Sequence, residues 1–331
     1  VARPLRLGVI GTLVWDTIVR EDRLGPVEEW GGIAYALEAL SASLTDEWEI
    51  VPLVKVGHDL AERALGFLGG VPRVWVERGI KVVPEPNNRV ELVYQGQSRR
   101  TERLRGGVPP WLWLELAPLV CDCDALYVNF ISGFEMELDT ARALRAGYPG
   151  PTYADLHSLF LGIGAAGLRV PRELPLWHEW LRCFDAIQVN EDEFGLLGRA
   201  WGDPWELAAA SVGPAELKLI AVTLGPRGAA YVAGPGMRAD PRSWPPARHR
   251  LGATGTAWSA RIASTGESKR GDPTGCGDVW GATFFARLLA GSELEPAMAD
   301  ANRAAAKNVE YRGAGGLHRH LRGRIVPAQP S

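Results

Sequence analysis

The residues best placed to do chemistry lie together towards the end of the 331-residue chain, in Gly271-Asp272-Pro273-Thr274-Gly275-Cys276-Gly277-Asp278. Glycines at 275 and 277 let a backbone turn tightly and bring its N–H groups close to a ligand. Val279 to Leu289 reads as a helix, because Val279, Ala282, Ala286 and Leu289 share one face at helical spacing and Gly291 marks a stop. The loop therefore sits at the positive end of a helix, where unpaired amides favour an anion such as phosphate. Asp278 falls among those donors, and the helix dipole favours its ionised form, so it can accept a proton near neutral pH. Donors that stabilise a moving phosphoryl group, beside a carboxylate that takes a hydroxyl proton, are what phosphoryl transfer to an alcohol requires. The plainer alternative is a glycine-rich turn in which Asp278 only starts the helix.

Such a loop needs a scaffold to hold it. Leu5 to Ile10 is a short apolar run ending at Gly11, and further strands read at Val51–Val56, Ala125–Phe130, Thr152–Asp155, Ala186–Val189 and Leu217–Val222, with helix-compatible stretches between. That alternation predicts an α/β fold, a parallel sheet covered by helices on both faces. Ligands of open sheets sit beyond the carboxyl ends of the strands, where Asn129, Asp155 and Asn190 fall. Asn129 is a substrate-site candidate, while Asp155 reads equally as a cap for the next helix. Asn190 with Glu193 three residues on forms a capping box. From Asn87 to Arg105, alternation of Val90, Leu92 and Tyr94 with charged neighbours, then a turn at Gln95-Gly96-Gln97-Ser98, predicts a hairpin outside the main core. Arg99, Arg100, Arg103 and Arg105 read as a solvated face. Residues 235–270 show little periodicity and read as an irregular excursion, Glu295 to Tyr311 as a helix, and 313–331 as a loose, basic tail.

Composition narrows the partners. A net charge of −3 gives no electrostatic reason to expect nucleic acid or an anionic membrane. Four cysteines, at 121, 123, 183 and 276, form neither a metal-type double pair nor a dense disulfide framework, which reads as free thiols in a reducing compartment. No apolar run approaches a membrane span, and Arg3, Pro4 and Arg6 lead straight into the first strand, so the expected location is cytoplasmic.

Asp272-Pro273-Thr274-Gly275-Cys276-Gly277-Asp278 resembles the Asp-Thr-x-Gly-Ala-Gly-Asp signature of the ribokinase-like carbohydrate kinases, the phosphofructokinase B type. The resemblance implies a three-layer α/β/α fold spanning 1–331 as one kinase domain, with a small β lid made of segments near 15–30 and 85–106. It implies that Asp278 is the catalytic base and that the backbone of Gly275, Cys276 and Gly277 forms the anion hole. Two positions depart from the pattern: Cys276 stands for Ala and keeps the backbone donor, and Pro273 stands for Thr and removes one. By the same resemblance Asp16, five residues beyond Gly11, binds acceptor hydroxyls, where the sequence alone reads an edge-strand residue facing water. Gly31-Gly32 becomes a hinge and substrate contact rather than only a turn, although Ile33, Ala34 and Ala36 carry none of the polar groups that grip a sugar in the family.

Asn190 and Glu193 match the second signature, which implies that Asn190 serves the nucleotide phosphates and Glu193 a magnesium ion through water. Thr223, Gly225 and Gly228 resemble the Thr-x-Gly-x-x-Gly segment that approaches the nucleotide, and Asn302 a nucleotide-side position. The implied cofactors are ATP and Mg2+, with a monovalent cation near Asp272 and Thr274, and the implied assembly is a homodimer through the lid. The function expected from this resemblance is ATP-dependent phosphorylation of a hydroxyl on a small sugar or polyol. A nucleoside kinase, with Trp15 and Trp30 enclosing a base, and a silent sugar- or nucleotide-binding regulator are the alternatives.

Overall fold

The computed structural model describes residues 3–20, 25–95, 99–199, 201–213, 217–245, 255–264 and 271–323. The chain opens with β1 (Leu5–Ile10), β2 (Leu13–Arg20) and β3 (Val27–Gly32), then α1 (Ile33–Ser43), β4 (Trp48–Gly57), α2 (Ala61–Gly70) and β5 (Ile80–Val83). A hairpin of β6 (Arg89–Gln95) and β7 (Arg99–Arg105) precedes α3 (Trp113–Val120), β8 (Ala125–Asn129), α4 (Leu138–Gly147) and β9 (Thr152–Asp155). A small hairpin of β10 (Leu161–Ile163) and β11 (Arg169–Pro171) leads to α5 (Trp177–Leu181), β12 (Ala186–Asn190), α6 (Glu191–Gly198) and α7 (Pro204–Ser211). The last part holds β13 (Leu219–Thr223), β14 (Ala229–Ala233), β15 (Trp258–Ile262), α8 (Cys276–Leu289), α9 (Leu294–Val309) and α10 (Leu317–Leu321).

Among the described residues nine strands form the main sheet in the order β15-β14-β13-β12-β9-β8-β1-β4-β5, and of these only β14 runs against its neighbours. Its inner strands read as near-continuous apolar runs because helices cover both faces. Along β8 the alternation divides the core: Ala125 and Tyr127 pack with α1, α8 and α9, while Leu126 and Val128 pack with α3, α4 and α6. The α/β/α layering expected from the sequence is therefore the observed one. A separate four-stranded sheet, β3-β2-β6-β7, carries both segments predicted to lie outside the core, over a small cluster of Ile18, Leu92 and Tyr94. Among the described residues no helix is long and apolar enough to cross a membrane.

Two expectations are corrected. Trp258–Ile262, within the stretch read as irregular, is an edge strand of the main sheet; its residues are mostly exposed, so no buried alternation marks it in the sequence. The tail expected to be loose contains α10, where Leu317, His318 and His320 are buried. The Glu38 carboxylate of α1 accepts from the amides of Gly316 and His318, a contact between residues about 280 apart that local pattern cannot reveal. Residues 21–24 of the first lid segment, the turn at 96–98, the stretches 246–254 and 265–270, and 324–331 lie outside the described residues, as do the side chains of Arg99 and Arg100.

At the amino ends of the strands, opposite the candidate site, Asp185 accepts from Lys218 Nζ at 2.5 Å and from Arg145 at 2.7 Å. Its other oxygen accepts from the Thr152 amide and hydroxyl, so one buried carboxylate ties the starts of β9, β12 and β13 together. Removing one partner of a buried ion pair leaves the other charge poorly compensated. Lys218→Met is expected to lower unfolding stability by roughly 2–4 kcal/mol in urea titrations. An unchanged midpoint would show that Arg145 and Thr152 suffice for Asp185.

Candidate active site

The predicted signature loop runs into α8, whose N-cap Gly275 takes the left-handed conformation with φ 76°. A side chain there would be strained and would strike the ring of Tyr35, whose nearest carbons lie 2.3 Å from where its Cβ would stand. Most of α8 from Val279 to Leu289 is buried, so the core fixes the helix axis and its first turn is left at the surface. Gly277 is exposed and Asp278 half-buried. One expected donor is already used, because the Cys276 amide bonds Pro273 O at 3.1 Å. The first-turn amides of an α-helix have no carbonyl one turn back within the helix, and Gly277, which supplies one of them here, is exposed. Burial raises the Cys276 thiol to about 11, so it stays protonated at neutral pH and is no nucleophile.

The predicted strand-end residues converge below this turn. Asn129, at the end of β8, donates from Nδ2 to Asp278 Oδ1 at 2.7 Å, which fixes the carboxylate's orientation. Gln188 of β12 donates to Gly277 O at 3.1 Å and to Asp155 Oδ2 at 2.9 Å, and accepts from the Tyr153 hydroxyl at 2.9 Å. Asp155 is buried, and burial together with Glu193 and Asp278 raises its carboxyl to about 8, against the opposing pull of His157. Burial disfavours the charged form of His157, but Glu193, whose Oε1 is 2.5 Å from Nδ1, lifts the imidazole to about 9.

Asn190 and Glu193 form the predicted capping box at the start of α6. Glu193 N donates to Asn190 Oδ1 at 3.0 Å and Asn190 N to Glu193 Oε2 at 2.8 Å. Glu193 is buried, with Oε1 also held by Asn190 Nδ2 at 2.6 Å. Its carboxylate is thus taken up by protein partners, and among the described residues no three His, Cys, Asp or Glu side chains gather to chelate a metal. The set fits a magnesium ion held through water and donor phosphates, near the acids that already crowd Asp155, rather than one gripped directly.

On the acceptor side, Asp16 of β2 is buried over Gly31 of β3, and only glycine fits there: a Cβ would stand 1.7 Å from Asp16 Oδ2. Gly32 then caps α1 with φ 61°. The first turn of α1 (Ile33, Ala34, Tyr35, Ala36) is buried and offers no polar grip from its side chains apart from the phenol of Tyr35. Trp15 and Trp30 meet edge to face at 85°, with Arg63 over the Trp15 ring, so they do not form the parallel slot expected of a base clamp. Nearby, Thr12 donates to Glu135 Oε1 at 2.8 Å and the Ser132 amide to the same oxygen at 2.7 Å.

Thr223, at the end of β13, lies directly beside Asn190 in the sheet register, and Gly225 and Gly228 shape the turn into β14. Asn302 is a different case. Its Oδ1 accepts from Trp280 at 2.8 Å and its Nδ2 donates to Ile262 O at 3.2 Å, so its side chain joins α8 and α9 to β15. Sequence reasoning missed Gln188, His157, Glu135 and Tyr94. Gln188 alone left a local signal, a polar residue at the centre of an apolar strand.

Residues 169–319 match the family model described as pfkB family carbohydrate kinase. No curated protein matches the chain by sequence. Among solved structures the chain is similar to a nucleoside kinase of Burkholderia thailandensis in complex with inosine, 17% identical, with a TM-score of 0.69 and coverage of 97% of this chain and 96% of that one. It is similar to the ribokinase of Thermotoga maritima, 16% identical, with a TM-score of 0.68 and coverage of 97% and 99%. Arabidopsis thaliana ribokinase, complexed with ribose and ATP, gives 17% identity and a TM-score of 0.65, with coverage of 98% and 99%. These findings place the fold in the ribokinase-like class of α/β proteins. The family recognised from the motifs, the pfkB-type carbohydrate kinases, is the one whose pattern the C-terminal half carries.

The raised carboxyl of Asp155 has a consequence for stability. The native protein holds this proton from about pH 4 to about pH 8 while the unfolded chain releases it, so wild-type stability falls as pH rises through that window. Asp155→Asn lacks the effect. The difference in unfolding free energy, variant minus wild type, is expected to shift in the variant's favour by up to about 1.4 kcal/mol per pH unit between pH 5 and 8. A pH-independent difference in chemical denaturation would place Asp155 ionised in the native state.

Proposed function

We propose that the protein is an ATP-dependent kinase that phosphorylates a hydroxyl of a small sugar or polyol. The observation that carries this reading is the half-buried Asp278 at the open first turn of α8, oriented by Asn129 at 2.7 Å. Asp278 takes the acceptor's hydroxyl proton as that oxygen bonds the γ-phosphorus and the bond to the β-phosphate oxygen breaks. The first-turn amides of α8, that of the exposed Gly277 among them, stabilise the charge on the transferring group, with Gly275 setting the turn and Cys276 holding it through Pro273. Asp16 orients the acceptor between Gly31 and Gly32, under the four-stranded sheet acting as lid. The nucleotide lies along Thr223 to Gly228 beside Asn190, and Asn302 supports that edge from beneath rather than by direct contact.

Glu193, with Asn190, would hold a magnesium ion through water, and the ion would supply charge neutralisation for the donor's phosphates. Asp155 keeps its proton and so spares the site one negative charge beside the phosphates. A monovalent cation by Asp272 would share a carboxylate that already accepts from the Thr274 amide and hydroxyl.

The edge-to-face packing of Trp15 and Trp30 supports a sugar or polyol over a nucleoside, because no slot for a flat base lies between them. The test is ADP release from magnesium-ATP across sugars, polyols and nucleosides. Asp278→Asn is expected to lower acceptor-dependent kcat by about 10²–10⁴-fold with little change in folding. Retained turnover would remove Asp278 as the base, and binding without turnover in the wild type would favour a silent regulator.

A further inference from the structure

The loop carrying the open amides is held mainly by its own half of the molecule. Tyr35 lies on Gly275, Asn308 Nδ2 donates to Thr274 O at 2.8 Å, and Gln188 Nε2 donates to Gly277 O at 3.1 Å. A further contact comes from outside the main body. The hydroxyl of Tyr94, on β6 of the four-stranded sheet, lies 2.9 Å from Thr274 Oγ1, and the two residues are 7% and 8% exposed.

The direction of this bond is fixed by its neighbour. Thr274 has a single hydroxyl proton and gives it to Asp272 Oδ1 at 2.6 Å, so Tyr94 is the donor and Thr274 the acceptor. The chain Tyr94 to Thr274 to Asp272 therefore runs one way, from the small sheet into the signature loop. In that sheet β6 lies directly beside β2, with Val90 opposite Asp16 and Tyr94 opposite Arg20. The carboxylate assigned to the acceptor and the hydroxyl that grips the anion-binding loop are thus on neighbouring strands of one sheet.

We propose that Tyr94 is a positioning residue whose hydroxyl ties the small sheet to the anion-binding loop, so that the two hold one relative position. The inference rests on the kinase reading above for its catalytic consequence. Acceptor held at Asp16 fixes the small sheet, and the sheet, through Tyr94 and Thr274, fixes the amides that meet the transferring phosphoryl group. Loss of the hydroxyl leaves both sites built and unlinks them.

Tyr94→Phe keeps the ring packed on Ile18, Leu92 and Val90 and removes only the donor. With an acceptor that supports turnover, the variant is expected to lower kcat by about tenfold while the KM for ATP stays within about twofold. Thr274→Val made in the Tyr94→Phe background should cost less in kcat than Thr274→Val alone, since the shared bond is already gone. Hydrogen exchange of the substrate-free full chain over 271–280 should quicken in Tyr94→Phe, with β1 and β8 unchanged. Unchanged kcat together with unchanged exchange overturns the proposal, as does full additivity of the two substitutions. If no acceptor supports turnover by the wild type, the kinase reading fails by itself. The exchange measurement, which needs no turnover, then decides the tie: faster exchange at 271–280 upholds it and unchanged exchange rejects it.

Discussion

One constraint governs this molecule: a helix buried along nearly its whole length must begin at the surface. α8 packs against α1, α9 and the central sheet, so its axis and the position of its first turn are set by the core. The left-handed turn at Gly275, pressed against Tyr35, admits the chain at the angle that this axis demands. Gln188 then joins the sheet to the first turn by a hydrogen bond to Gly277 O. A first turn positioned this way has its donors oriented by the fold before any ligand arrives.

The same economy of placement creates an electrostatic problem at the carboxyl ends of the strands. Asp155, Glu193 and Asp278 converge where phosphates would add more negative charge. The fold answers in three ways. Asp155 is buried until it prefers its proton, Glu193 is surrounded by Asn190 and His157, and Asp278 alone is left half-exposed with one oxygen aligned by Asn129. The three acids thus have different environments, and of the three Asp278 is the one that is not buried.

What the sequence disclosed follows from the range of the interactions involved. The loop at Gly275 to Asp278, the capping box of Asn190 and Glu193, and the strand-end placement of Asn129 rest on neighbours within a few residues, and the local pattern records them. The central strands were equally legible, because burial on both faces writes itself as an apolar run. The Asn129–Asp278 bond joins residues 149 apart, and Tyr94–Thr274 residues 180 apart, so neither leaves a trace in spacing. β15 escaped notice because an edge strand has little to bury, and α10 because its partner Glu38 lies at the other end of the chain. At Cys276 and Asn302 the motif does not disclose the partner: Pro273 takes the amide of one, and Trp280 and Ile262 take the side chain of the other.

Where the chain departs from the carbohydrate-kinase pattern, the structure shows what replaces it. The apolar first turn of α1 is driven into the core by Ile33, Ala34 and Ala36, each with no exposed surface, and Tyr35 spends its ring against the signature loop. A helix so placed can set the geometry of the phosphoryl end but has little left with which to read an acceptor. Polar recognition must then come from the elements around it: Asp16 on β2, and the turn after β8, where Glu135 gathers the hydroxyls of Thr12 and Ser132. Glu135 has one oxygen on Thr12 and Ser132 and the other on the Gly133 amide, so that turn is rigid before any ligand arrives. Of these, the Glu135 turn is bonded within itself, while Asp16 lies on the separate four-stranded sheet.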